Sequence, residues 1–113
     1  MKKLFIKQNQ TIKDALKQTT VASSKCLLVV KKDKLLGTLS DGDLRKAILS
    51  GASLSESIDG FYNASPTVLL ENNYSITDAK KIFLEKNFDL IPCLNDNPQH
   101  IDLLQHLIKK YIY

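Results

Sequence analysis

"TIKDA", residues 11–15, returns as "SITDA", residues 75–79, and this recurrence decides how the chain is read. Slid by that offset of 64, Met1–Leu49 lies over Ser65–Tyr113 without a gap. Ile12 meets Ile76, Asp14 meets Asp78, Ala15 meets Ala79 and Leu39 meets Leu103. Identity is low, so the weight falls on the repeated order of elements.

Each half opens on a short apolar run, "LFI" at 4–6 and "TVLL" at 67–70. A hydroxyl residue three positions before an acid follows, Thr11 with Asp14 and Ser75 with Asp78. That spacing is a capping box with Asp in place of Glu, and it predicts helices over 12–22 and 76–87. Apolar runs "CLLVV" at 26–30 and "LIPCL" at 90–94 predict buried strands. Polar turns, "KKDK" and "NDNPQ", lead to second strands at 35–39 and 100–104. A helix is expected to close each half. In the first, Leu44, Ala47 and Ile48 form its apolar side and Gly51 its C′ stop. In the second, Leu103, Leu104, Leu107, Ile108, Tyr111 and Ile112 recur at helical spacing. The chain ends inside that stripe, which suits either a piece of a longer chain or a frayed natural end.

The unit is thus strand, helix, strand, strand, helix, used twice. One half is too small to bury its own apolar face, whereas two facing halves make one core. The expected fold class is α/β (α+β): two β-α-β-β-α repeats related by a pseudo-twofold axis, with two small sheets face to face and four main helices. The repeats occupy 1–50 and 65–113. The Ser- and Gly-rich stretch 51–64 reads as the linker, with a short helix near Leu54–Ile58.

The 113 residues are 43% hydrophobic and 25% charged, globular values that permit a useful core. Net charge is +4, but the lysines are scattered and no basic stripe interleaves with aromatics, which speaks against nucleic-acid binding. No apolar run is long enough for a membrane span, and "MKKLFIKQNQ" lacks the apolar core of a signal peptide. Cys26 and Cys93 lie far apart in apolar runs and read as buried thiols of a cytoplasmic protein. With His100 and His106 they make no zinc pattern, so no metal or required cofactor is expected.

The remaining chemistry gathers in "GTLSDGDLRKAI", 37–48. Ser40 is a good N-cap and Asp43 occupies N3, where an acid answers free amides and the helix dipole. The same free amides can bind phosphate, the Ser40 hydroxyl can donate to a phosphate oxygen, and an acid on the first turn can take both hydroxyls of a ribose. Gly37 lacks a side chain and would let a ligand lie against the strand. Asp41 and Asp43 share one helix start and do not form an acid–base pair. No nucleophile with a base is present, so the chain is not expected to be an enzyme by itself.

These residues, with "LLVV…LLGTLSDGDLRKAI" and "NFDLIPCLND", resemble a tandem pair of CBS domains, also called a Bateman module. The resemblance covers essentially the whole chain. Gly37-Thr38-Leu39-Ser40-Asp41-Gly42-Asp43 matches the family's ligand signature of Gly, two residues, Thr or Ser, two residues, Asp. "SDGDLRKAI" is similar to CBS pairs attached to bacterial sugar-phosphate enzymes, and "HIDLL" points to the nucleotidyltransferase type. The resemblance implies a regulatory nucleotide-sensing module whose ligand is AMP, ADP, ATP or a related adenosyl compound. It implies Gly37, Ser40, Asp41 and Asp43 at the ligand, with Phe5, Ile6, Leu27 and Leu28 beside the base. It further implies a homodimer and an attached or partner catalytic domain. The alternative is a ligand-free structural dimerisation module. The gapless offset sets Ile101, Leu104 and Leu107 against Gly37, Ser40 and Asp43, so one competent site per chain is expected, in the first half.

Overall fold

The computed structural model describes residues 2–70, 74–86, 88, 90–95 and 104–109. They fall into two compact units, Met1–Pro66 and Thr67–Tyr113. After a 3-10 turn, the first unit runs β1 (Phe5–Ile6), α1 (Ile12–Ala22), β2 (Cys26–Lys31), β3 (Lys34–Ser40) and α2 (Asp41–Leu49). The sheet order is β1-β2-β3. β1 and β2 are parallel, so their connection must cross over the sheet, and α1 is that crossover. β2 and β3 form a hairpin whose two-residue turn places Lys32 and Asp33 at φ 51° and 65°. Positive φ at both central positions is the geometry that matches strand twist.

Both helices begin as the hydroxyl–acid spacing predicts. The Thr11 hydroxyl accepts from Asp14 N at 3.1 Å while Thr11 N donates to Asp14 Oδ2 at 3.0 Å. Each helix also stops on a Schellman pair of hydrogen bonds. At α2, Gly51 N donates to Ile48 O and Ala52 N to Ala47 O, with Gly51 at φ 98°. At α1 the same pair runs from Ser23 and Ser24 to Thr20 and Thr19, and a serine at φ 50° takes glycine's place.

Side chains alternate across β2 and its neighbours. Ile6, Leu27, Val29 and Leu39 face the helices and form the core with Ile12, Ala15, Leu44 and Ala47. Ile58 completes this cluster and is fully buried. No helix forms at Leu54–Ile58; the segment turns instead and lies along the first unit as a strap. Glu56 O accepts from Ile12 N, Gln10 O from Ile58 N, and Thr38 and Asn63 exchange both backbone bonds at 3.0 and 2.8 Å. Serines and glycines let this stretch turn, but its one large apolar residue drives it onto the core.

The second unit runs β4 (Leu69–Leu70), α3 (Ile76–Glu85), β5 (Leu90–Leu94) and β6 (Leu104–Lys109), with sheet order β4-β5-β6. α3 carries the third capping box, Ser75 with Asp78. Ala79, Phe83 and Ile91 form its core. The pairings repeat the first unit: parallel, then antiparallel. Even the irregularity recurs, since the β2–β3 register breaks between Val29 and Val30 and the β5–β6 register between Cys93 and Leu94.

The closing helix expected over 103–112 is corrected: Leu104–Lys109 is a strand paired to β5. Most of the strand expected at 100–104, and the helix positions 103 and 110–112, lie outside the described residues. The gapless match is corrected with it. Cys26 and Leu90 are 64 residues apart, but their partners Ser40 and Lys109 are 69 apart, so the second hairpin connection holds five more residues. By register, His106 rather than Ile101 stands where Gly37 does, and Lys109 rather than Leu104 where Ser40 does. Among the described residues no helix is long and apolar enough to cross a membrane.

Candidate ligand site at the start of α2

The junction from β3 to α2 is built by sequence-local forces. Ser40 has extended backbone at φ −91° and ψ 164°, which turns its side chain over the first helical amides. Its Oγ accepts from Asp43 N at 3.1 Å, and Ser40 N donates to Asp43 Oδ2 at 2.9 Å. Asp41 N donates to Lys25 O at 2.7 Å, tying the junction to the start of β2. The helix therefore engages one oxygen of each capping side chain. The Ser40 hydroxyl hydrogen is not consumed by that bond, because Oγ acts there as acceptor. Asp41 turns outward to Arg45, with 3.1 Å between Oδ2 and the guanidinium and both side chains at least half exposed. Such a pair contributes little to stability.

The sheet divides the other expected site residues between its faces. Phe5 pairs with Leu28, and Leu28 with Thr38, on the face that also carries Cys26 and Ser40. Leu28 is fully buried and Phe5 half-buried. Ile6 and Leu27 point the other way, into the helix-covered core, at 1% and 0% exposure. Gly37 shares that second face through its pairing with Val29. Its missing side chain makes room for the strap: a Cβ there would collide with the Asn63 carbonyl oxygen and lie 2.6 Å from the Tyr62 ring. The close approach foreseen at Gly37 is real, but the approaching group is the chain's own backbone.

Sequence reasoning missed Tyr62 and Asn63. A tyrosine following a glycine-containing turn was the available signal, and composition alone assigned it to a linker.

Residues 1–50 match the CBS domain family model. An uncharacterized protein of Helicobacter pylori strain 26695 is 27% identical over 101 residues, covering 88% of this chain. The chain spans 31% of the length of that curated relative. Among solved structures, CBS domain protein PAE2072 from Pyrobaculum aerophilum, complexed with AMP, superposes with a TM-score of 0.76 at 14% identity, over 94% of this chain and 79% of that one. CBSX2 in complex with AMP superposes with a TM-score of 0.74 at 21% identity, over 94% of this chain and 80% of that one. The mixed α/β architecture is that of CBS domain folds, and the family match supports a CBS domain module.

Proposed function

We propose that the chain is a regulatory CBS pair, 1–50 and 65–113 joined by 51–64, that senses an adenine-type nucleotide and controls an attached or partner sugar-phosphate nucleotidyltransferase. The observation that carries the ligand reading is the β3–α2 junction. A hydroxyl and an acid converge there on the first turn of α2, within the residues matching the family model. Two similar folds are described with AMP bound, which favours an adenine nucleotide over other phosphates. Ser40 donates to phosphate and Asp43 accepts the ribose hydroxyls through the oxygen that the cap leaves over. The second unit has His106 and Lys109 at the places of Gly37 and Ser40, so one such site serves each chain. Nucleotide occupancy then reaches the enzyme as a coupling free energy between the two sites.

A specific observation favours a ligand-free dimerisation module as the second reading: the capping box by itself accounts for both Ser40 and Asp43, and α1 and α2 expose Val21 at 68% and Leu49 at 80%. Calorimetric titration with AMP, ADP, ATP, GMP, GTP and S-adenosylmethionine separates the two. The nucleotide reading expects binding of at least one adenine compound. Hydrogen bonds to a charged acceptor contribute roughly 1.5–3 kcal/mol, so Asp43→Ala should weaken it by roughly 10- to 100-fold. Asp41→Ala, which removes the same charge on the same turn, should not. No binding by the parent chain, or equal binding by both variants, overturns the site.

A further inference from the structure

A ligand-sized hollow among the first unit's described residues lies at the opposite end of its sheet from Ser40 and Asp43. It has a volume of about 580 Å³, within the range of small-molecule sites. The half-buried Phe5 and Val30 supply its apolar side chains, and Lys7, Lys31 and Lys32 line it as well. Asp33 is the one acid there, so the hollow carries an excess of two positive charges. Among the described residues of the first unit the ion pair is Arg45 with Asp41, and none of these lysines is paired with a carboxylate there.

The wall is fixed in advance. Lys7 N donates to Gln10 Oε1 at 2.9 Å and Gln10 N to Lys7 O at 3.0 Å, closing the 7–10 turn on itself. The strap holds that turn from behind: Ser57 Oγ donates to Gln8 O at 2.7 Å, and Gln8 Nε2 donates to the Tyr62 hydroxyl at 2.9 Å. Across from it, the tight hairpin turn presents Lys31 and Lys32 from a rigid strand end. A ligand here meets groups already in place, which reduces the ordering penalty of binding.

We propose that this hollow is a second ligand site, for a small organic phosphate with a flat apolar group. The phosphate sits between Lys7 and the Lys31–Lys32 turn, and the flat group lies on Phe5 and Val30. Cations without a carboxylate partner beside an apolar wall select an anion joined to an apolar body over either alone. The site stands independently of the reading of Ser40 and Asp43.

The test is an amide NMR titration of the full chain with AMP, adenosine and inorganic phosphate. AMP should shift the amides of 7–10 and 31–33, while adenosine and phosphate do so only at much higher concentration. The double variant Lys31→Glu with Lys32→Glu, on an exposed turn, should weaken these shifts by roughly 10-fold or more, and added salt should weaken them in the parent. Asp43→Ala should leave them unchanged. Shifts confined to 40–43, shifts equally strong with adenosine, no shifts at all, or shifts indifferent to the double variant each overturn the proposal.

Discussion

The Asn63 carbonyl oxygen occupies the space into which a side chain on Gly37 would project. The contact follows from the backbone exchange between Thr38 and Asn63, which holds the strap against the free edge of β3. A Cβ at 37 must push away a hydrogen-bonded backbone group and the Tyr62 ring, and neither is a flexible side-chain end. Gly37→Ala should therefore destabilise the chain by about 1–3 kcal/mol in urea unfolding. Gly42 is the control. Its nearest neighbour would be Ser40 Oγ at 3.7 Å, an ordinary contact, and it lies inside α2. Gly42→Ala should be neutral or stabilise by about 0.5–1 kcal/mol.

Acid should loosen α1 through Asp14. The backbone hydrogen bond from Thr11 holds its carboxyl below the ordinary 3.8, with the Thr11 side chain, Lys17 and Lys13 acting the same way and burial opposing them. A depressed folded value means that folding favours the ionised form. The stability gained is complete above 3.8 and disappears as pH falls through the depressed value. An NMR titration of the folded chain should place the Asp14 midpoint below 3.8. Asp14→Ala should make stability less dependent on pH below that point. A midpoint at or above 3.8 would contradict the capping geometry.

Ser23 holds the left-handed position that ends α1, at φ 50° and ψ 43°. A side chain is strained there and glycine is not. Ser23→Gly should stabilise by about 0.5–1 kcal/mol, read as a higher urea midpoint at unchanged slope. The matching stop of α2 already uses Gly51, so Gly51→Ala should shift the midpoint the other way.

What the sequence disclosed was what is local. Three capping boxes set the starts of α1, α2 and α3 because hydroxyl and acid sit on the same turn as the amides they serve. β2 and β5 were legible because a strand buried on both faces, along its centre in β2 and throughout in β5, is a continuous apolar run. β6 was misread because Leu104, Leu107 and Ile108 satisfy the helical spacing as stated, and the partner strand that claims them is distant in sequence. At the candidate site, Ser40 and Asp43 were found for the same local reason. The division of Ile6 and Leu27 from Phe5 and Leu28 was available from strand alternation alone. Tyr62 and Asn63 were not, since a strap is recognised only by the surface it covers.

That strap supplies the last prediction. Ile58 is fully buried among Ile6, Ile12 and Leu39, whereas Leu54, four residues earlier, is 46% exposed. Both are branched aliphatics in one Ser-rich stretch, so composition cannot rank them. Truncating a buried aliphatic removes its transfer energy and leaves a cavity, and Ile58→Ala should destabilise by about 2–5 kcal/mol. Leu54→Ala should change stability by less than about 1 kcal/mol, because nearly half of its area is already in water and it lies outside the core cluster. The Ile58 variant should also free the Gln8 side chain and the Ser57–Gln8 and Ile58–Gln10 contacts, raising amide exchange in the 7–10 turn more than in α2. Equal effects of the two substitutions would show that the strap does not belong to the core of the first unit.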